Sequence, residues 1–200
     1  MLHKEVVEST LWDLLIHLME NPLFNSFYLV GGTSLALQIG HRVSVDIDLF
    51  GHQEINEIEF SQALTDYGKI KLISKTKNIL IFSINDIKVD FVNYHYPWIE
   101  EPTFVSKIRL ASIKDIAAMK INAIVGRGSK KDFIDIYYLL KIFSYDELLG
   151  FYEKKYPDGN LFAAQKSIQY FEDADKDVSP HVIENISWEK MKHEIILKTN

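Results

Sequence analysis

Between residues 45 and 50 the chain reads Val-Asp-Ile-Asp-Leu-Phe, a strand pattern with a carboxylate at every second place. Asp is depleted in strands. Residues two apart on a strand point the same way, so Asp46 and Asp48 would stand about 6.5–7 Å apart on one face. Like charges so placed repel unless something positive lies between or above them. Either that face is wetted by solvent or it is a metal site, and both alternatives demand a sheet with one apolar and one polar side.

The same pattern returns in Ile-Lys-Val-Asp-Phe-Val-Asn-Tyr (87–94), where Ile87, Val89 and Phe91 share one face and put Asp90 on the other. Ile-Leu-Ile-Phe-Ser-Ile (79–84) precedes it, and Asn85-Asp86 between the two runs is a two-residue hairpin signal. If the strands of Asp46, Asp48 and Asp90 are neighbours, three carboxylates converge. Hard oxygen ligands of this kind suit magnesium, with coordination positions left over for water and substrate phosphates. Two such ions about 3.5–4 Å apart stabilise both the attacking and the leaving oxygen of a phosphoryl transfer.

Upstream, Phe-Tyr-Leu-Val (27–30) reads as a short buried strand running into Gly31-Gly32, after which Thr33 or Ser34 caps a short helix ending at Gly40. A strand–Gly–Gly–helix turn lets backbone approach a phosphate and offers free N–H groups, with the Thr33 hydroxyl, and that of Ser44 further on, as added donors. Alone, such a turn is more often only a turn. Its order with Asp-x-Asp and a later strand Asp is what narrows the chemistry.

The remaining pattern predicts a helix over 4–20, another over 57–68, a last strand over 104–111, and a helix from a capping box at Ser112 and Asp115 to about Val125. Further helices are expected over 130–143, 145–155, 160–172 and 187–198. The expected fold class is therefore α+β: a mixed sheet with packed helices over residues 1–111, then a helical C-terminal lobe over 112–200.

Composition narrows the class further. At 200 residues and 47% hydrophobic the chain can bury a substantial core, and a charged fraction of 25% is ordinary for a globular protein. With 0 cysteines, disulfide and thiol chemistry are excluded. The seven histidines include no pair at zinc-ligand spacing. There is no apolar run of about 18 residues to span a bilayer, and Met-Leu-His-Lys lacks the shape of a signal peptide, so a cytoplasmic location is expected. A net charge of −6 argues against a general nucleic-acid coat protein. Yet seven basic residues lie between Lys107 and Lys131 against one acid, Asp115, a local zone that suits a phosphate-bearing ligand or a solvated helix face.

Gly-Gly-Thr, a helix, His-Arg-Val-Ser-Val-Asp-Ile-Asp-Leu-Phe (41–50) and Lys-Val-Asp-Phe-Val (88–92) together resemble the DNA-polymerase-beta-like nucleotidyltransferase superfamily. With Ser-Ile-Lys-Asp-Ile-Ala-Ala-Met-Lys and the Gly-Arg-Gly-Ser-Lys-Lys-Asp turn (112–140), the chain is more closely similar to the AbiEii/AbiGii toxin family of nucleotidyltransferases. The resemblance spans roughly residues 27 to 140. It implies that Asp46, Asp48 and Asp90 hold one or two magnesium ions and that Gly31, Gly32, Thr33 and Ser44 meet the donor nucleotide. It also implies a triphosphate contact by Lys120 and a nucleotide-site or acceptor-side acid at Asp132 or Asp135. Sequence does not choose between those two acids. Lys120 shares a helix face with Ile113, Ile116 and Ala117, so its ammonium either reaches solvent along an apolar stripe or meets a buried anionic ligand. The superfamily's Gly-Ser is Gly32-Thr33 here, which keeps the hydroxyl and adds a methyl group.

The implied activity moves a nucleoside monophosphate from a nucleoside triphosphate to an acceptor hydroxyl. The resemblance makes the 3′ end of transfer RNA a plausible acceptor and an antitoxin protein the partner. A small-molecule acceptor such as an antibiotic hydroxyl is the first alternative. A nucleotide- or partner-binding module without turnover is the second, disfavoured because clustered acids without a cation are costly.

Overall fold

Asn85 and Asp86 adopt positive φ angles of 49° and 67°, the turn geometry whose twist matches a tight hairpin. In the computed structural model, which describes residues 2–200, this turn joins β4 (Ile79–Ile84) to β5 (Ile87–Asn93). The sheet has seven strands in the order β3-β4-β5-β2-β1-β7-β6, completed by β1 (Phe27–Leu29), β2 (Asp46–Gly51), β3 (Ile70–Lys75), β6 (Thr103–Val105) and β7 (Ile108–Leu110). Two pairings are parallel, β2 with β5 and β1 with β7, and the others are antiparallel. Among the described residues eight α-helices accompany it, so the expected mixed sheet with packed helices is the observed fold.

The two sheet faces carry different chemistry. Ile47, Leu49, Val89 and Phe91 are buried and pack with Phe24, Phe27 and Phe60 beneath α1 (Ser9–Glu20) and α3 (Glu57–Leu64). The Phe24 and Phe91 rings are 4.7 Å apart and the Phe24 and Phe60 rings 5.3 Å, so this half of the core is an aromatic cluster. The opposite face turns Asp46, Asp48, Phe50 and Asp90 towards α2 (Gly31–Ile39), α4 (Ile113–Gly126) and α5 (Lys130–Leu139). A second apolar cluster joins α4 and α5 to α6 (Tyr145–Lys155), α7 (Leu161–Ser167) and α8 (Trp188–Thr199). Within the second cluster Lys155 of α6 and Asp115 of α4 form a fully buried ion pair of 2.7 Å, and the Asp115 carboxylate also accepts from the amides of Ile99 and Glu100. That anion ties the 94–100 segment to α4.

Local chemistry explains where the elements depart from the sequence pattern. The expected strand over 104–111 is a hairpin, β6–β7, turned at Ser106 and Lys107 with φ of 50° and 71°, and no glycine advertises it. Strand β3 went unmarked because residues 71–75 are exposed on both faces at a sheet edge, so no alternation appears; Lys71 and Lys75 there blunt edge pairing. The expected helix over 4–20 splits into a 3₁₀ turn at Lys4–Val6 and α1, with Glu8 extended between them. Helix α2 starts at Gly31 itself and ends at Gly40 in the left-handed region, so Thr33 sits inside the first turn instead of capping it. No helix among the described residues is long and apolar enough to cross a membrane.

At the start of α4 the Ser112 hydroxyl accepts the Asp115 amide at 3.0 Å, as the capping pattern predicts. Ser112→Ala is expected to lower stability by about 1 kcal/mol, and the melting temperature by roughly 2–4 °C for a chain of this size. Thermal denaturation followed by circular dichroism measures it, and an unchanged midpoint would leave the cap without energetic weight.

Candidate active site

Strand β2 alternates inward Ile47 and Leu49 with Asp46 and Asp48, and its parallel register sets Asp48 directly beside Asp90 of β5. Neighbouring strands are about 4.8 Å apart, so two carboxylates from residues 42 apart in sequence become adjacent. Among the described residues the Asp48 carboxylate has no hydrogen-bonding or ion-pairing partner, while its carbonyl accepts from the Val30 amide at 2.9 Å. Burial first, and then the Asp90 charge, push its pKa up to about 6. Lys88 bridges both Asp90 oxygens at 2.6 and 2.5 Å, and Lys131 reaches Asp46 at 3.4 Å. Both lysine side chains are more than a third exposed and free to swing away.

As the carboxylates stand, no group of three or more His, Asp or Glu among the described residues has the spacing to hold a metal ion. The donor set nonetheless fits a hard divalent cation: oxygen ligands only, one of them unpartnered, and mutual repulsion that a cation would relieve.

The Gly-Gly turn meets this face closely. Gly31, with φ of +67°, lies against the Asp48 carboxylate, and Gly32 lies against the Arg42 guanidinium. A Cβ at either position would collide with these groups. The Thr33 hydroxyl donates to the Asp46 carbonyl and sits 2.8 Å from Ser44 Oγ. Thr33 and Ser44 are both buried, so their hydroxyls fasten the segment before β2 onto α2.

Behind the carboxylates lies an ion network. Asp135, fully buried, accepts from Arg42 Nε at 2.6 Å and Arg42 Nη2 at 3.0 Å, and lies 2.7 Å from His41 Nε2. Lys120 is held between Asp132 at 2.9 Å and Asp135 at 2.6 Å. Asp132 also takes two hydrogen bonds from Arg127 and one from Ser129. Burial alone would raise both acids. The Lys120 ammonium and Arg127 guanidinium outweigh it at Asp132 and bring it down to about 2, while Arg42 and Lys120 hold Asp135 well below the carboxylate range. Lys120 does not run out to solvent, being 4% exposed, and the anions it meets are the protein's own Asp132 and Asp135.

These groups border one cavity of about 480 Å³, lined by Gly31, Gly32, Ser44, Asp46, Asp48, Asp90, Lys120, Arg127 and Lys131 among others. That volume lies in the ordinary range of small-molecule clefts. Asp132 and Asp135 stand behind its wall. The basic zone read from the sequence is not one surface. Arg109 is buried against the carbonyls of Phe24, Phe27 and Met19, and Lys130 donates to the Asp177 carbonyl. Only Lys120, Arg127 and Lys131 of that zone reach the cavity.

Sequence reasoning missed Arg42 and His41, although they immediately precede the Asp-x-Asp strand. Their partner lies 93 and 94 positions away, and no periodicity reports such a pairing. It also missed the rings of Phe50, Tyr94, Tyr96 and Tyr156 along the cavity.

The sequence profile of the family described as nucleotidyl transferase AbiEii toxin, type IV toxin–antitoxin system, matches residues 13–196. Uncharacterized protein aq_aa25 of Aquifex aeolicus (strain VF5) is 39% identical over 160 residues, which span 77% of this chain and 78% of that one. Among solved structures, JHP933 from Helicobacter pylori superposes with a TM-score of 0.62 at 18% identity, covering 95% of this chain and 87% of the other. MenT4, the nucleotidyltransferase toxin Rv2826c from Mycobacterium tuberculosis, superposes with a TM-score of 0.58 at 11% identity, covering 96% and 84%. At such identities the two structures report a shared fold.

Proposed function

Because this chain belongs to the AbiEii family of nucleotidyltransferase toxins, we propose that its cavity transfers a nucleoside monophosphate from a nucleoside triphosphate to the 3′-terminal hydroxyl of a transfer RNA, with magnesium as the cofactor. The observation that carries the reading is the register of Asp48 with Asp90, two unlike-strand carboxylates facing a cavity whose opposite wall is cationic. Asp46 and Asp48 would hold two magnesium ions, with Asp90 as a further ligand of the second. Bound there, the ions would supply charge neutralisation at the attacking and leaving oxygens.

The chain's own residues do the rest. Lys131 and Arg127, half-exposed on the cavity rim, balance the charge of the triphosphate and then of the departing pyrophosphate. Lys120 adds positive charge from the cavity wall. Gly31 and Gly32 let the Asp48 carboxylate and the Arg42 guanidinium pack against the turn where it borders the donor's cavity. Thr33 and Ser44 hold the strand start in place beneath it. The acceptor oxygen forms its bond to the α-phosphorus as the bond from that phosphorus to the pyrophosphate oxygen breaks, and Asp90 takes the acceptor proton. Asp132 and Asp135 serve this reading by fixing Lys120, Arg127 and Arg42. In this reading residues 1–111 form the catalytic core and 112–200 the helical lobe, and the second apolar cluster joins the two through Val30, Leu35 and Ala111. A cytoplasmic antitoxin is the proposed protein partner.

Incubation with each labelled triphosphate, magnesium and total RNA tests the proposal. Label in the transfer-RNA band, lost on chelation, is the expected result. Label transferred only to small hydroxyl compounds would replace RNA as the acceptor. Triphosphate binding with no product in any mixture would overturn the catalytic reading.

A further inference from the structure

The cavity is graded along the β2–β5 pair. At the start of β2, Lys131 reaches Asp46 and Arg42 stands near it, while Lys120 and Arg127 line the same cavity. Asp48 and then Phe50 follow on the same face of β2, while Asp90 is followed past the end of β5 by Tyr94. At about 3.3 Å per residue, Phe50 lies roughly 13 Å along the strand from Asp46. Cations, carboxylates and aromatic rings therefore succeed one another in a line.

The far end is a built wall. Ring centroids are 5.1 Å apart for Phe50 and Tyr94, 5.4 Å for Tyr94 and Tyr96, and 4.7 Å for Tyr96 and Tyr156. The Tyr94 and Tyr156 hydroxyls lie 2.9 Å apart and brace the wall, both residues being buried. Tyr96 is the open ring, 41% exposed. Helix α4 contributes Met119 and Asn122 to the same cavity, and the exposed Asn122 carboxamide has no hydrogen-bond partner among the described residues.

We propose that this aromatic end is the nucleobase subsite, with the base of the triphosphate lying on the Tyr96 ring and Asn122 reading its polar edge. The inference rests on the nucleotidyltransfer reading above and adds the placement of the donor. Phosphates belong with the cations and the reacting α-phosphate with the carboxylates, so the nucleoside occupies the remaining end. Stacking on an aromatic ring suits any base. A carboxamide offers both donor and acceptor, so it discriminates between bases by the match of their edges.

Calorimetric titration of the full chain in magnesium buffer, without acceptor, with each nucleoside triphosphate and with inorganic tripolyphosphate separates the parts. Tyr96→Ala is expected to weaken triphosphate binding roughly 5- to 150-fold while leaving tripolyphosphate unchanged. Tyr96→Phe should bind like the parent, and Asn122→Ala should level the preference among the four bases. Because Tyr96 is exposed, its variants are expected to melt with the parent chain. Unchanged nucleoside triphosphate affinity in Tyr96→Ala, including the case where only RNA binding weakens, would overturn the subsite. An equal loss for tripolyphosphate would overturn it too. If neither nucleoside triphosphates nor tripolyphosphate bind the parent chain, the nucleotidyltransfer reading itself falls, and the subsite with it.

Discussion

Asp48→Asn is expected to reduce nucleotide transfer by at least about a thousandfold while making the free protein more stable at neutral pH. The activity loss follows from removing the one unpartnered carboxylate of the cluster. Metal-assisted charge stabilisation is worth several kcal/mol, and each 1.36 kcal/mol is about tenfold in rate. The stability gain follows from linkage. Burial and Asp90 raise the Asp48 carboxyl from an ordinary 3.8 to about 6, so between these values the folded chain holds a proton that the unfolded chain releases. The stability tied to that proton is complete below about pH 4 and lost as pH rises through 6. A displacement of about two pH units is on the order of 3 kcal/mol, less whatever the open cavity screens.

Thermal melts should accordingly show Asp48→Asn above the parent chain at pH 7.5 and level with it near pH 4. Added magnesium should raise the parent's midpoint and leave the variant's unmoved, since a ligand stabilises only the state that binds it. Parent-like transfer by Asp48→Asn would remove this carboxylate from the reaction.

Asp135→Ala acts in the opposite direction. Asp135 neutralises Arg42 and Lys120 and lies against His41, all buried. Removing it leaves like charges facing one another in the interior. Breaking a buried pair from one side typically costs about 3–5 kcal/mol, here roughly 6–20 °C in melting temperature. Activity should fall as well, because Arg42 lies in the segment that carries Ser44 into Asp46.

The pH dependence has its own sign. Asp132 is lowered to about 2, with burial opposing and Lys120 and Arg127 prevailing, and Asp135 is lowered well below the ordinary carboxylate value, with burial opposing and Arg42 and Lys120 prevailing. Their contribution is present above the unfolded carboxylate value near 3.9 and disappears as pH falls through the folded values. The parent chain should therefore lose stability steeply below about pH 4, and Asp135→Ala less steeply. The control is Lys141→Ala, which breaks an exposed contact with Glu184 and is expected to stay within about 1 kcal/mol. Equal midpoints for Asp135→Ala and Lys141→Ala in urea denaturation would show that the network carries no more weight than a surface pair.

The alternation at 45–50 and 87–94 determined a great deal by itself. A period of two with apolar residues on one phase leaves a sheet with a wet face, and Asp46, Asp48 and Asp90 had nowhere else to point. Asn85-Asp86 declared its turn because few residue pairs tolerate two successive positive φ angles. The order of the Gly-Gly turn, Asp-x-Asp, strand Asp and Gly-Arg-Gly motif was enough to mark the family. These are local signals, written within a few residues of what they specify.

The tertiary structure decided the rest. Parallel pairing of β2 with β5, across a separation no local pattern encodes, made Asp48 and Asp90 neighbours. Packing of α5 against the segment before β2 turned Asp135 into the partner of Arg42, and turned Lys120 from a residue on an apolar stripe into the centre of an ion network. The choice between Asp132 and Asp135 was open in the sequence because three-residue spacing puts both on one helix face. The fold has both acids bind Lys120, and what separates them is which arginine each one holds. A charged side chain in a sequence carries no record of its counter-ion, since burial drives the pairing and burial is a property of the assembled chain.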